Sequence, residues 1–225
     1  MSEEHLNYTS CFNIIGPVMI GPSSSHTAGA CALGKCIHDL FGTVAKEIDI
    51  IYYESFAETH LGHGTDYALI GGILGMEAAD TRVPHSIRLA EEKGIKINIS
   101  ESKEESPANH PNTALVTVKD ENHQLTFLGT SIGGGSIEIC YVNNDGVEME
   151  PTYTPNLILL QSKEEIPEEQ IKSCLQAWDV EVTHGQITYG DTCQMVAFNT
   201  SRCLTDKEFE QLTEKLALTN KMMVK

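Results

Sequence analysis

Four short segments of this 225-residue chain gather side chains able to hold an anion or move a proton. In Gly16-Pro-Val-Met-Ile-Gly-Pro-Ser-Ser-Ser-His-Thr-Ala-Gly29, the run Ser23, Ser24, Ser25, His26 and Thr27 stands directly before a predicted helix. The first amides of a helix lack partners and carry about half a positive charge. Hydroxyls placed there either cap those amides or join them in holding a carboxylate or phosphate. A cap at Ser25 or Thr27 needs one residue, so the whole run favours an anion site.

In His60-Leu-Gly-His63-Gly-Thr-Asp66, the imidazoles are poised to transfer protons near neutral pH, and Gly62 and Gly64 leave His63 open to a ligand. The competing readings are a loop leading into a helix capped by Thr65 or Asp66, and a zinc pair, which lacks a third ligand. In Asn109-His110-Pro111-Asn112-Thr113 the proline fixes a turn that lets His110 and Asn112 face one side. An Asx-turn before a strand is the alternative there. Gly133, Gly134 and Gly135 in Gly129-Thr-Ser-Ile-Gly-Gly-Gly-Ser136 mark close backbone approach, an amide nest for an anion, or a loop tip. The segment has neither a Walker lysine nor a Rossmann fingerprint.

The elements that must position these segments follow from periodicity. Residues 27–41 repeat Ala, Leu and Cys at helical spacing before Gly42. Residues 47–53 alternate as a strand, and 66–76 read as a buried helix whose Gly71, Gly72 and Gly75 permit a close contact. A helix is expected at 83–92, strands at 95–99, 114–118, 125–128 and 136–142, and a hairpin turn at Asp120-Glu121-Asn122. A short apolar run, Ile14–Ile15, precedes Gly16. The last 69 residues give a strand at 157–160 and a helix from Pro167 to Trp178. A hairpin of 180–188 with 193–198 follows, then a second helix opened by a Thr205–Glu208 capping box, and a strand at 222–224. That order, βαββαβ, is ferredoxin-like. The fold class is therefore α+β: an α/β-type N-terminal domain over residues 1–150 and a ferredoxin-like domain over 156–225. The change falls within residues 142–155, a stretch that holds Asn-Asp-Gly and two prolines.

Composition narrows the function. Fifteen Lys+Arg against 32 Asp+Glu give a net charge of −17, which argues against nucleic acid as a partner. Every apolar run is far shorter than the roughly 20 residues of a membrane span, and the acidic start does not resemble a secretory signal, so a cytoplasmic location is expected. The seven cysteines include no Cys-x-x-Cys pair, which disfavours a disulfide framework, a zinc ribbon or an iron–sulfur cluster and suits reduced thiols. No lysine sits beside a phosphate cup, so pyridoxal phosphate is not expected.

The four segments, taken together and in order, resemble the beta chain of the two-chain, iron–sulfur-dependent bacterial L-serine dehydratases. The resemblance covers residues 10–142 and is far more specific than any one motif. The N-terminal part also looks like the allosteric substrate-binding domain of some phosphoglycerate dehydrogenases, and the last 69 residues look like a divergent ACT domain. The turn Gln161-Ser-Lys-Glu-Glu-Ile-Pro167 lacks the glycine usual at ACT effector sites. The resemblance implies conversion of L-serine to pyruvate and ammonia, with a [4Fe–4S] cluster in a partner alpha chain and no metal in this one. It implies that His63 is the base. Ser23, Ser24, Ser25, His26, Thr27, His110, Asn112 and the three glycines would surround the substrate. Self-association through residues 156–225 is expected, by an edge strand at 193–198 or 222–224. Two other readings stand beside this one: a non-catalytic serine-sensing and oligomerisation module, and a metal-dependent hydrolase using His60 and His63.

Overall fold

The computed structural model describes residues 17–151, 156–214 and 216–224. The Ile14–Ile15 run, Cys11 and residues 152–155 of the inter-domain segment lie outside the described residues. The fold is α+β, with two sheets and six α-helices among the described residues.

The first element among the described residues is a five-residue π-turn, Ser24–Ala28, that runs straight into α1 (Gly29–Phe41). Leu33, Ile37, Leu40 and Phe41 line the buried face of α1, and Gly42, at φ 70°, ends it in the left-handed region. Strand β1 (Glu47–Tyr53) alternates as its sequence predicts. Two helices follow at once, α2 (Glu54–His63) and α3 (Thr65–Ile73), broken only by Gly64. A short 3₁₀ turn, Val83–His85, leads into α4 (Ser86–Glu92). Then come β2 (Lys96–Glu101), β3 (Thr113–Lys119), β4 (Gln124–Gly133), β5 (Ser136–Asn144) and β6 (Val147–Met149).

These strands form one sheet in the order β2-β1-β3-β4-β5-β6. The helices α2 to α4 form the crossover between the parallel neighbours β1 and β2; the other pairs are antiparallel. At the predicted hairpin turn, Asp120 Oδ1 accepts from the amides of Asn122 and His123 at 2.8 and 3.0 Å.

The glycines of α3 have a specific purpose. A Cβ on Gly72 would lie 2.2 Å from the Cys31 carbonyl oxygen, and one on Gly34 would lie 2.2 Å from that of Leu69. α1 and α3 therefore cross backbone to backbone. Gly71 is different, since its Cβ would meet only side chains, the nearest at 3.3 Å.

The second sheet comprises β7 (Leu157–Ser162), β8 (Val182–Tyr189), β9 (Gln194–Thr200) and β10 (Asn220–Val224), ordered β10-β7-β9-β8 with every pair antiparallel. Helix α5 (Glu168–Ala177) and helix α6 (Asp206–Thr213) cover one face. Pro167 is the cap of α5 rather than a residue of its first turn, and α6 opens with the expected capping box at Thr205. Of the two strands offered as the edge, 193–198 is β9, inside the sheet, and 222–224 lies in β10, which is an edge together with β8. The other face packs on α1: Leu157, Leu159, Met195, Ala197, Met222 and Val224 join the N-terminal core. All residues of β7 and β9 are accordingly buried. Between the sheets lies a buried amide network. Gln161 Oε1 accepts from Asn144 and from Asn220 Nδ2 (3.2 Å), and Gln161 Nε2 donates to the Asn144 carbonyl at 3.2 Å.

The crossing gives a direct expectation. Gly72→Ala gains about 1 kcal/mol of helix propensity but must push two backbones apart, an overpacking that costs about 1–3 kcal/mol or more. Urea denaturation should find Gly72→Ala less stable than Gly71→Ala by about 2 kcal/mol, the latter being near wild type. Equal stability of the two variants would contradict a backbone-to-backbone contact.

Candidate functional site

Ser23, in extended conformation, caps the π-turn: its hydroxyl accepts from the His26 amide at 3.2 Å. The cap therefore falls on Ser23, not on Ser25 or Thr27. Thr27 is fully buried, and its hydroxyl donates to the backbone carbonyl of His63 at 3.0 Å. Gly21 is required beside it, because a Cβ there would lie 2.3 Å from Thr27 Cγ2. His26 is buried with both ring nitrogens engaged. Nδ1 lies 3.0 Å from Ser25 Oγ and 3.4 Å from Ser23 Oγ, and Nε2 lies 3.3 Å from Ser55 Oγ. Its ring packs edge-on against Phe56 and against the His63 ring, with centroids 5.2 and 4.8 Å apart. Burial, and then the neighbouring His63, lower its pKa below the ordinary histidine value, so His26 is neutral at neutral pH. Ser24 has no side-chain partner among the described residues.

The predicted loop around His60 and His63 is instead the last turn of α2. Gly64, at φ 71°, turns the chain into α3, and its amide bonds the His60 carbonyl. The two histidines have opposite surroundings. His63 is exposed, whereas His60 is buried and bonded at both nitrogens. Its Nδ1 donates to Asp66 (2.8 and 2.9 Å to the two oxygens) and its Nε2 to Glu101 Oε1 (3.0 Å). Burial pulls its pKa down, but bonds to Glu101 and Asp66 and their charges outweigh that, and the net shift is upward. Tyr52, tilted against the His60 ring at 5.1 Å, comes from the register position beside Glu101 on the parallel pair β1/β2.

The third segment docks beside the first two. The Phe56 amide donates to the Pro111 carbonyl at 3.2 Å. His110 Nδ1 accepts from the Asn112 amide at 3.1 Å, leaving Nε2 as the position for the ring proton of the neutral form. Burial lowers its pKa against the opposing charges of Glu138 and Glu54. Asn112 is tied to β4: Nδ2 donates to the Ser131 carbonyl (3.3 Å) and its own carbonyl accepts from the Ser131 amide (2.9 Å). The triple glycine is the β4–β5 turn, with φ of 104°, 63° and 87° at Gly133, Gly134 and Gly135, values that favour glycine. Gly135 abuts Pro17 and Ala28, so the turn meets the first segment, but Gly133 faces open space.

Ser55, Phe56, Asp66 and Glu101 thus complete the cluster without having stood out in the sequence as a group. Their signal was weak. Helix α2 has no side-chain cap and starts at Glu54 with φ 44°, and only Phe56, Ala57 and His60 are buried along it.

Burial pushes the Cys31 and Cys36 thiols up to about 12 and that of Cys140 up to about 11. Among the described residues no three His, Cys, Asp or Glu side chains are placed to share a metal, and no helix is long and apolar enough to cross a membrane.

A family model described as "Serine dehydratase beta chain" matches residues 10–139. The chain is 40% identical over 190 residues to the probable L-serine dehydratase, beta chain, of Bacillus subtilis (strain 168), covering 84% of this chain and 85% of that protein. It is 37% identical over 150 residues to the L-serine dehydratase, beta chain, of Peptoniphilus asaccharolyticus, covering 66% and 67%. A longer relative, the L-serine dehydratase of Haemophilus influenzae (strain ATCC 51907 / DSM 11121 / KW20 / Rd), is 32% identical over 149 residues. That match covers 53% of this chain and 31% of that protein.

The buried His60 makes stability depend on pH. Because its folded pKa lies above the unfolded value, its contribution is complete below the ordinary histidine pKa and is lost as pH rises through the raised folded value. Urea midpoints of wild type and His60→Gln should therefore differ most at about pH 5.5 and converge towards about pH 9. A gap that widens with pH would contradict a protonated His60.

Proposed function

The chain belongs to the serine dehydratase beta chain family, and we propose that it is the beta subunit of an L-serine dehydratase, completing the active site of a cluster-bearing alpha chain. The observation that carries this is His63. It stands exposed at the end of α2, its ring edge-on to the buried, neutral His26 and its carbonyl held by Thr27. The longer relative supports a partner, since this chain matches under a third of it. So does the surface: Val18, Leu61 and Ile132 are 82%, 81% and 41% exposed, and each adjoins one of the site segments. Exposed apolar side chains beside polar groups suit coverage by another chain. On this reading residues 1–150 form the substrate-binding unit. Residues 156–225 form an ACT-like unit suited to self-association, and the protein works in the cytoplasm.

The chemistry assigned to this chain is proton transfer and anchoring. His63 takes the α-proton of L-serine on a ring nitrogen. The electrons of the Cα–H bond form the Cα–Cβ double bond as the Cβ–O bond breaks and hydroxide leaves. The resulting aminoacrylate tautomerises to an imine, which water hydrolyses to pyruvate and ammonia. His110 offers Nε2–H as a donor, and with Asn112 and the hydroxyls of the first segment it holds the substrate carboxylate. The [4Fe–4S] cluster expected in the family is assigned to the partner, because the seven cysteines of this chain are scattered without cluster spacing.

Two measurements test the assignment. The isolated chain, reconstituted anaerobically, should hold no stoichiometric iron; about four irons per chain would move the cluster here. In the complex with its alpha chain, His63→Ala should lower kcat by about 10²–10⁴-fold with a smaller change in KM for serine. A sensing module predicts the reverse, an altered KM or cooperativity with kcat intact at saturating serine.

A further inference from the structure

His60 is not the proposed base, yet it is the most heavily tethered histidine of the cluster. Its ring is buried, and both nitrogens meet carboxylates from different elements: Asp66 opening α3 and Glu101 closing β2. Only an imidazolium donates from both nitrogens at once. The groups facing it are Asp66, Glu101 and, from β1, the Tyr52 ring; His26 of the π-turn faces His63 instead. The two arms differ in what they can tolerate. The Asp66 side chain is 11% exposed and has little water to turn to, whereas that of Glu101 is 59% exposed. When the imidazolium loses a proton, one nitrogen presents a lone pair to a carboxylate and that contact becomes repulsive. The proton is kept at Nδ1, against buried Asp66, and the exposed Glu101 swings to solvent.

We propose that His60 is a positioning residue: its cationic form latches the last turn of α2 to β2 through Glu101, holding the His63 ring against His26, and loss of its proton opens that latch. The role of His63 as base rests on the function proposed above; the latch itself rests on the geometry of this chain. His60 and His63 lie one helical turn apart, and beyond His60 the turn is held by Thr27 on the His63 carbonyl. The latch acts on the alkaline side.

Substitution at exposed Glu101 separates the latch from general stability. A glutamine accepts from the Nε2–H of the cation through its carbonyl, and donates to the bare Nε2 of the neutral ring through its amide. Glu101→Gln should keep the latch shut in both states, although removing the carboxylate lowers the His60 pKa. Glu101→Ala leaves it open throughout. The first readout is the isolated chain: histidine-resolved NMR should show His26–His63 ring contacts fading in wild type as His60 titrates, persisting in Glu101→Gln and weak at every pH in Glu101→Ala. The second is the assembled enzyme. Wild-type kcat should fall on the alkaline side in step with the His60 titration. Glu101→Gln should hold its kcat through that range. Glu101→Ala should lose about tenfold or more in kcat, as small displacements of a reacting group do, with KM changing by less than about twofold. Ring contacts indifferent to Glu101→Ala would overturn the latch. So would an unchanged alkaline fall in Glu101→Gln once its His60 titration has moved down. A wild-type complex that makes no pyruvate would remove the dehydratase reading alone, because the ring contacts still decide the latch.

Discussion

Where α1 crosses α3, Gly34 and Gly72 leave no space for a methyl group between two backbones, and the geometry of the histidine cluster is fixed from that point outward. The π-turn that carries His26 is the N-terminal extension of α1. The turn that carries His63 ends one residue before α3 begins. Drawing the two helices together at the glycines brings their starting ends together as well. The Thr27–His63 bond and the edge-on contact of the two imidazoles are the local expression of that approach. A wider crossing would separate the rings even if every residue of the four segments were unchanged.

The same constraint explains what could and could not be read along the chain. Alternation gave β1 its true limits, Glu47 to Tyr53, because one face of that strand is buried and the other is not. The glycines of α3 announced a close contact, but nothing in a linear pattern names Gly34 of α1 as the partner. Helix α2 escaped notice because its burial is confined to one short stretch and its cap is missing. With it went the true setting of His60 and His63, which read as a loop. The candidate histidines were legible as chemistry from their neighbours in sequence. Their division into an exposed ring and a clamped one was not, since the carboxylate that completes the clamp arrives from β2, delivered by the Tyr52–Glu101 register of a parallel pair.

The triple glycine shows how one motif can satisfy two readings. Three consecutive positive φ values make it a turn that a side chain would strain. The closeness of Gly135 to Pro17 and Ala28 also makes it a place of backbone approach. It braces the start of the π-turn from the sheet side while Thr27 braces it from the α2 side, so the run of hydroxyls is held between two rigid supports.

Strands β7 and β9 of the four-stranded sheet are buried throughout, with α5 and α6 on one surface and α1 on the other. During synthesis this imposes a delay. Helix α1 leaves the ribosome early, but the strands that cover it include β10, the last described element of the chain. At translation rates of about 5–20 residues per second the interval is on the order of ten seconds. Throughout it an amphipathic helix with Leu33, Ile37 and Leu40 on its face has only part of its final environment. The core around α1 therefore closes only once β10 has been made.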